Sequence, residues 1–288
     1  MKILVTGAGG QLGHDVVAVC EAAGDDVVAA GHADLDVGDR GQVLGAIATL
    51  QPDAIVHLAA WTAVDACESD PQRAFRVNAM GSRNVAQGAW LVGAGLLAVS
   101  TDYVFDGTAD RPYVEWDRPN PRTVYGRSKL GGEQEVLNGC PGAAVVRTAW
   151  LCGAGGANMV RTVLRLAAEP HRDLAFVDDQ RGSPTFTADL APVLRRLLVA
   201  RVPGVIHATN QGETTWYGFV REILAAAGHD PARARPIDTS VLDPPRPAVR
   251  PANSVLDNAA LRALGFDLLP HFHDGLHRLI EELSTSHG

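Results

Sequence analysis

Two rhythms of apolar residues alternate along the first half of this 288-residue chain. Short continuous apolar runs, KILVT at 2–6, DDVVAAG at 25–31, AIVHLA at 54–59, LLAVS at 96–100 and AAVVRTAWL at 143–151, are bounded by glycine, proline or polar residues. Between them, at 11–24, 40–52, 71–93 and 122–137, apolar positions recur every three to four residues. The first rhythm predicts buried strands and the second amphipathic helices. Runs rich in Val, Ile, Leu and Ala need cover on both faces, so the alternation predicts a parallel sheet sandwiched between helices.

After about residue 150 the rhythm loosens. Pro170, Pro184, Pro192 and Pro203 punctuate it, and 238–254 reads as a proline-rich loop without period. Helical spacing returns at 216–228, 258–265 and 273–283. No internal repeat or low-complexity linker interrupts the chain.

The junction of the first strand and first helix, TGAGGQLG, carries glycines at 7, 9, 10 and 13. Gly7, Gly10 and Gly13 permit a tight turn, close approach of backbone to a pyrophosphate and close helix–sheet packing. Their G-x-x-G-x-x-G spacing is one residue longer than the basic dinucleotide fingerprint, and the strand-before, helix-after context is what that motif requires. The expected fold class is therefore α/β, a Rossmann-type doubly wound parallel sheet with a smaller C-terminal substrate-binding portion. Residues 1–150 are read as the dinucleotide-binding core and 151–288 as mainly substrate-binding, interwoven with it. The second strand ends in Ala30, Gly31 and His32, where an NAD-specific site usually places a carboxylate on the ribose diol. NADPH is the expected cofactor, with NADH also accepted.

Tyr125 and Lys129 lie four apart on a predicted helix and so share one face. A phenol ordinarily ionises near ~10, and a neighbouring ammonium is expected to favour phenolate and bring it toward neutral pH. STDYVFDG, at 100–107, places the polar residues Thr101, Asp102 and Tyr103 at the end of a buried strand, where they are costly to leave unpaired.

Composition narrows the partners. The net charge is −8 with no block of like charge, which argues against nucleic acid. The N-terminus lacks a signal-peptide pattern and no run suits a membrane span. Cys20, Cys67, Cys140 and Cys152 are scattered and read as reduced thiols, so a cytoplasmic location is expected. His271, His273 and His277 read as a partly exposed helix face rather than a metal site, and His57 as a hydrogen-bonded core histidine. Arg195, Arg196 and Arg201 read as a solvated helix face.

TGAGGQLG, LAAWTAVDACE, VNAMGSRNVA, STDYVFDG, YGRSKLGGE, RTAWL, DDQRGSPTFTADLA and RPANSVLDNAALRALGF together resemble the extended short-chain dehydrogenase/reductases. More narrowly they resemble the dTDP-4-dehydrorhamnose reductase family over nearly the whole chain. The resemblance implies reduction of the C4 carbonyl of a dTDP-4-keto-6-deoxy sugar, dTDP-4-dehydro-L-rhamnose, by NADPH or NADH. It implies catalytic roles for Tyr125 as proton donor, Lys129 at the nicotinamide ribose and Thr101 at the sugar carbonyl. Cofactor contacts fall to Gly7, Gly10, Gln11, Leu12, Gly13, Asp36, Val37, Ala59, Ala60, Trp61, Val99, Tyr125 and Lys129. Thr101, Asp102 and Trp150 would contact the sugar, 180–185 would shape the pocket wall, and Arg250 is a candidate for the diphosphate. Tyr103 is assigned to packing.

A dimer-bridging magnesium site of some members has counterparts here only in Glu281 and Glu282, so no metal is expected, and the chain is read as a monomer or homodimer. The alternatives are a nucleotide-sugar epimerase or dehydratase, or a non-catalytic cofactor-binding regulatory subunit. A dehydratase would carry Glu where this chain has Tyr103.

Overall fold

The structure is a computed structural model, and it describes residues 1–169 and 172–285; Pro170 lies outside them. The first half runs β1 (Lys2–Thr6), α1 (Gln11–Ala22), β2 (Asp26–Ala30), α2 (Arg40–Leu50), β3 (Ala54–His57), α3 (Val64–Ser69), α4 (Pro71–Phe75), α5 (Gly81–Val92), β4 (Gly95–Thr101), α6 (Val124–Gly139) and β5 (Ala144–Thr148). The second half runs β6 (Leu151–Cys152), α7 (Met159–Ala167), β7 (Leu174–Val177), β8 (Arg181–Gly182), β9 (Thr185–Phe186), α8 (Thr187–Val199) and β10 (Gly204–His207). It ends with β11 (Thr214–Thr215), α9 (Trp216–Ala226), β12 (Ala234–Ile237), α10 (Ala259–Ala263) and α11 (Phe272–Thr285).

Six strands form the central sheet in the order β2, β1, β3, β4, β5, β10. Every pairing is parallel, with Val5 opposite Val56, Leu97 opposite Ala144 and Gly204 also opposite Ala144. This is the expected doubly wound arrangement. On one face, Leu12, Val16 and Cys20 of α1 and Leu190, Leu194 and Leu197 of α8 close over Ile3, Val5, Val56, Leu97 and Val146. On the other, Val43 and Ile47 of α2, Val85 and Ala89 of α5 and Val136 of α6 close over Leu4, Ile55, Leu96 and Val145. A third cluster joins α7, α9 and α11 through Val160, Val163, Phe219, Ile223, Leu276 and Ile280. Residues beyond 150 thus supply the sixth strand and a covering helix of the sheet, besides a core of their own.

Three local expectations differ from what forms. Pro192, read as punctuation, lies inside α8. It removes one backbone hydrogen bond, but its helix sinks Leu190, Leu194 and Leu197 to zero exposure against the sheet, which outweighs that loss. The predicted strand over 143–151 stops at Thr148, because Trp150 turns into the left-handed region (φ 47°) and sends β6 to pair with β9. The predicted helix over 71–93 persists, with a π-helical turn at Arg76–Met80 between α4 and α5.

The solvated arginine face is partly tied down: Arg195 donates to Asp25 at 2.7 Å and Arg196 pairs with Asp267 at 3.0 Å. Two histidines are fully inside. His57 lies between Thr6 Oγ1 (2.7 Å) and Ser82 Oγ (3.1 Å). His207 lies between the Tyr113 and Asp257 carbonyls and Arg147 Nη1. Burial holds both rings neutral, down to about 3.

These rings make the fold acid-sensitive above the range where paired carboxylates titrate. Unfolded, each takes a proton near its ordinary 6.5; folded, neither does until about 3. Their stability is whole above 6.5 and is lost as pH falls. Asp102, raised to about 6 by burial, has the opposite sign and returns part of the loss below that pH. At ~1.4 kcal/mol per group per pH unit, a net loss of ~2–3 kcal/mol is expected between pH 6.5 and 5. Urea denaturation at the two pH values measures it; equal midpoints would mean that the rings are charged or hydrated in the fold.

Candidate active site

β2 and β3 pair on opposite sides of β1, so the sheet's connections diverge at the carboxyl end of β1 and leave a crevice there. The glycine loop floors it. Gly7 has φ +71°, and a Cβ on it would stand 2.6 Å from Ala59 N; one on Gly13 would stand 2.5 Å from the carbonyl oxygens of Gly7 and Ala8. α1 begins with no side-chain cap and no acidic residue in its first turn, so its amide end is left to an anion.

The cleft above measures about 550 Å³. Gly7, Gly10, Gln11, Leu12 and Gly13 line its floor, Asp36 and Val37 the β2 side, and Ala59, Ala60 and Trp61 the loop after β3; Val99, Tyr125 and Lys129 line the far side. All the sequence-derived cofactor candidates therefore face one space. Leu35, Leu58, Thr62, Arg73, Val77 and Ser100 join them without having been anticipated. Arg73 covers the Trp61 ring at 4.5 Å, so this tryptophan is a wall of the cleft rather than a plain core residue. Ser100 Oγ is buried without a partner, an acceptor and donor left for something bound. Glycine cradle, uncapped helix end and unpartnered hydroxyl together fit an extended dinucleotide.

The acids near the end of β2 are already engaged. Asp34 accepts from Gly31 N at 2.8 Å. Asp36 accepts from Arg76 Nη1 at 3.0 Å and Gly38 N at 2.9 Å, and the guanidinium, first among these causes, holds its carboxyl below the usual range.

α6 carries the reactive pair. Its start is fixed by Thr123, which accepts from Gly126 N at 3.0 Å, and by Glu68, which accepts from Val124 N at 2.8 Å. Lys129 Nζ donates to the Val99 carbonyl at 2.8 Å. Burial lowers its ammonium to about 8, against the pull of Glu133. The phenol of Tyr125 is raised above its ordinary value by burial, its largest influence, which the adjoining Thr101 hydroxyl opposes. The expectation that Lys129 draws the phenol down is thus not met here: burial governs, and the ammonium is directed at a backbone carbonyl. Thr101 Oγ1 donates to Asp102 Oδ1 at 2.9 Å, and Asp102 Oδ2 is buried without a partner. Tyr103 packs edge-on to Tyr125 with centroids 5.5 Å apart, as its assignment to packing expects.

Thr101, Asp102 and Trp150 lie outside the lining of the cleft, though their neighbours Ser100 and Leu151 are in it. Trp150 stacks on Trp216 at 3.5 Å, and a Cβ on Gly182 would stand 2.4 Å from its ring. A tryptophan at positive φ is strained, and this packing holds it. Arg250, the diphosphate candidate, is clamped by both carboxylate oxygens of Asp65. Among the described residues no cluster of three or more His, Cys, Asp or Glu is placed to hold a metal ion; His273 instead lies 3.2 Å from the Glu222 carboxylate.

Sequence reading missed Asn78. From the π turn its Oδ1 accepts from Trp61 N (2.7 Å), and its Nδ2 donates to Trp61 O (3.1 Å) and Ser128 Oγ (2.9 Å). The available signal was an asparagine in mid-helix, where its side chain competes with the backbone.

A doubly wound sheet with a glycine-floored cleft and a Tyr-x-x-x-Lys helix at its far wall defines a short-chain dehydrogenase/reductase of the extended type. Residues 1–285 match the family described as RmlD substrate binding domain, and the chain belongs to that family. It is 47% identical over 279 residues to a dTDP-4-dehydrorhamnose reductase of Streptomyces griseus, covering 95% of this chain and 91% of that one. A crystal structure of a dTDP-4-dehydrorhamnose reductase from Clostridium acetobutylicum superposes with a TM-score of 0.95 at 39% identity, covering 99% of this chain and 100% of that one. The Bacillus anthracis dTDP-4-dehydrorhamnose reductase in complex with NADP does so with a TM-score of 0.93 at 36% identity, covering 98% and 99%.

Gly13→Ala would drive a methyl into two carbonyl oxygens and displace the loop. With strain of ~1–3 kcal/mol, NADP binding measured by calorimetry should weaken roughly 10- to 100-fold. Unchanged affinity would show that the loop does not carry the pyrophosphate.

Proposed function

We propose that this protein reduces the C4 carbonyl of a dTDP-4-keto-6-deoxy sugar, dTDP-4-dehydro-L-rhamnose, with NADPH and less readily NADH. The observation that carries the reading is the placement of Tyr125 and Lys129 on the far wall of a dinucleotide-shaped cleft, with Thr101 beside the phenol. Homology to proteins named dTDP-4-dehydrorhamnose reductase, one of them in complex with NADP, supports it.

A bound dihydronicotinamide supplies the hydride. The chain's part is placement and proton delivery. Tyr125, kept protonated by burial, is in the form that gives a proton to the carbonyl oxygen as it gains negative charge. Thr101 holds that oxygen by turning its single hydroxyl hydrogen to it from Asp102 Oδ1, which now accepts it. Lys129, held by the Val99 carbonyl, presents its remaining hydrogens to the cofactor ribose. Trp150 borders the sugar. Arg250 reaches the diphosphate only by exchanging partners, since Asp65 now occupies it. Elimination needs a second acid or base beside Asp102, and Tyr103, its hydroxyl raised to about 12, supplies none.

Tyr125→Phe keeps the ring and removes the proton donor, so kcat should fall ~100- to 10,000-fold with cofactor affinity little changed. Thr101→Val should cost less. If Tyr125→Phe kept more than half of wild-type kcat, or if Thr101→Val were the more damaged, the roles would be wrongly assigned.

Cofactor choice follows from Arg76. With Asp36 and Asp34 engaged, no free carboxylate repels a 2′-phosphate, and a single charge-assisted hydrogen bond limits the NADPH preference to ~100-fold. Arg76→Ala frees Asp36 to take the ribose hydroxyls and should move the ratio of kcat/KM values toward NADH. A ratio that stays put would place the discriminating contact elsewhere.

A further inference from the structure

Lys2 and Lys129 are the only lysines in the sequence; every other basic side chain of fixed charge is arginine. Lys129 is also inside the protein, 8% exposed, which is a costly place for an ammonium. The groups around it come from two strands and its own helix. β4 offers the Val99 carbonyl, β3 the His57 ring, and α6 the Tyr125 phenol one turn before and Glu133 one turn after. His57 and Tyr125 are both neutral at working pH, so Glu133 is the charge that acts on Lys129.

Glu133 is not free to swing toward that ammonium. Both of its oxygens are taken by Arg147 of β5, at 2.9 Å from Nε and 2.7 Å from Nη2, and both side chains are 3% exposed. Arg147 in turn reaches His207 Nε2 at 3.4 Å and lies over the Phe105 ring at 5.1 Å. A buried ion pair therefore stands with its acidic end on α6, one helical turn after Lys129, and its basic end on β5. In a low-dielectric interior such a dipole acts strongly on a neighbouring charge. A pair of this kind is weak as a source of stability, since its desolvation offsets its attraction, so a role in setting the neighbouring charge gives it a purpose that stability does not.

We propose that Glu133 is a positioning residue for the reaction: the buried Glu133–Arg147 pair sets how firmly Lys129 keeps its proton, with Glu133 strengthening that hold and Arg147 moderating it. The proposal rests on the reading that Lys129 serves the bound cofactor in its charged form, and its test is independent of cofactor and substrate.

With lysine labelled at 13Cε, the full-length protein gives two resonances, and Lys2, whose Nζ donates to the Leu50 carbonyl at 3.1 Å, is an internal reference. Both are titrated from pH 6 to 11 in wild type, Glu133→Gln, Arg147→Met and the double variant, with the thermal midpoint of each recorded. Glu133→Gln should move the Lys129 midpoint down by about one pH unit, a tenfold easier loss of the proton. Arg147→Met leaves Glu133 with only Lys129 to pair with and should move the midpoint up. The double variant should fall between the two, with Lys2 unmoved throughout. If Glu133→Gln does not fold, the double variant against Arg147→Met isolates the same carboxylate and must titrate lower. A merely structural pair would lower the thermal midpoint and leave Lys129 titrating as in wild type, and that result would overturn the proposal.

Discussion

The side-chain amide of Asn78 is hydrogen-bonded in three directions at once, to both backbone groups of Trp61 and to the hydroxyl of Ser128. One residue thus ties the loop that walls the cleft to the helix that carries Tyr125 and Lys129. The bond to Ser128 requires α6 to lie near the π turn, which Gly132 allows, while Gly126 lets the same helix approach the turn after β4. A Cβ on Gly132 would stand 2.3 Å from the Asn78 carbonyl, and one on Gly126 would stand 2.2 Å from that of Tyr103. Ser82 then donates to the Asn78 carbonyl at 2.7 Å and meets His57, which meets Thr6. Because Ser82 gives its hydrogen to Asn78, it accepts from His57 Nε2, and His57 Nδ1 is left to accept from Thr6. The carboxyl ends of β1 and β3, the π turn and α6 are joined by one polar seam in which each group satisfies its neighbour. Removing any member leaves a buried polar atom unpaired, which costs more than the bond it made.

Burial acts on the two reactive groups in opposite senses. It raises the phenol of Tyr125 and lowers the ammonium of Lys129, so each is pressed toward its uncharged form. The phenol is thereby kept as a proton donor, which is the form reduction uses. The ammonium is the group at risk, and a backbone carbonyl on one side and the Glu133 carboxylate on the other keep it charged.

How much of this was legible depended on whether a residue's meaning is local. The first five strands and the helices between them follow from periodicity, and the glycine loop from steric need at two backbone approaches, at Gly7 and Gly13. The cofactor candidates of the first four strands meet in one cleft because they lie at or near strand ends, which gather on one side of a parallel sheet, and α6 brings Tyr125 and Lys129 to the same side. What escaped was set by distant partners. Helix α8 was read only from its arginine face, and its buried face across Pro192 was missed, because a single backbone defect weighs more in local reading than a face buried against a sheet not yet assembled. The left-handed turn at Trp150 is held by Trp216 and Gly182, neither of them near in sequence. The expectation that Lys129 would govern Tyr125 considered a pair in isolation, whereas depth in the protein proved the larger effect.

The sheet's sixth strand and α8 come from residues 187–207, well after the catalytic helix has been made. On the ribosome, therefore, the first five strands emerge with one face covered only by α1: Leu97 and Val146 wait for Leu190, Leu194 and Leu197 to arrive. At roughly 5–20 residues per second, the stretch from 148 to 207 takes about 3–12 s to synthesise. For that interval the nascent chain offers a strip of uncovered aliphatic surface and an unpaired parallel edge at β5. Both are features that chaperones recognise and that invite misassembly. Late completion of the sheet thus exposes this protein less as a finished molecule than during its own birth.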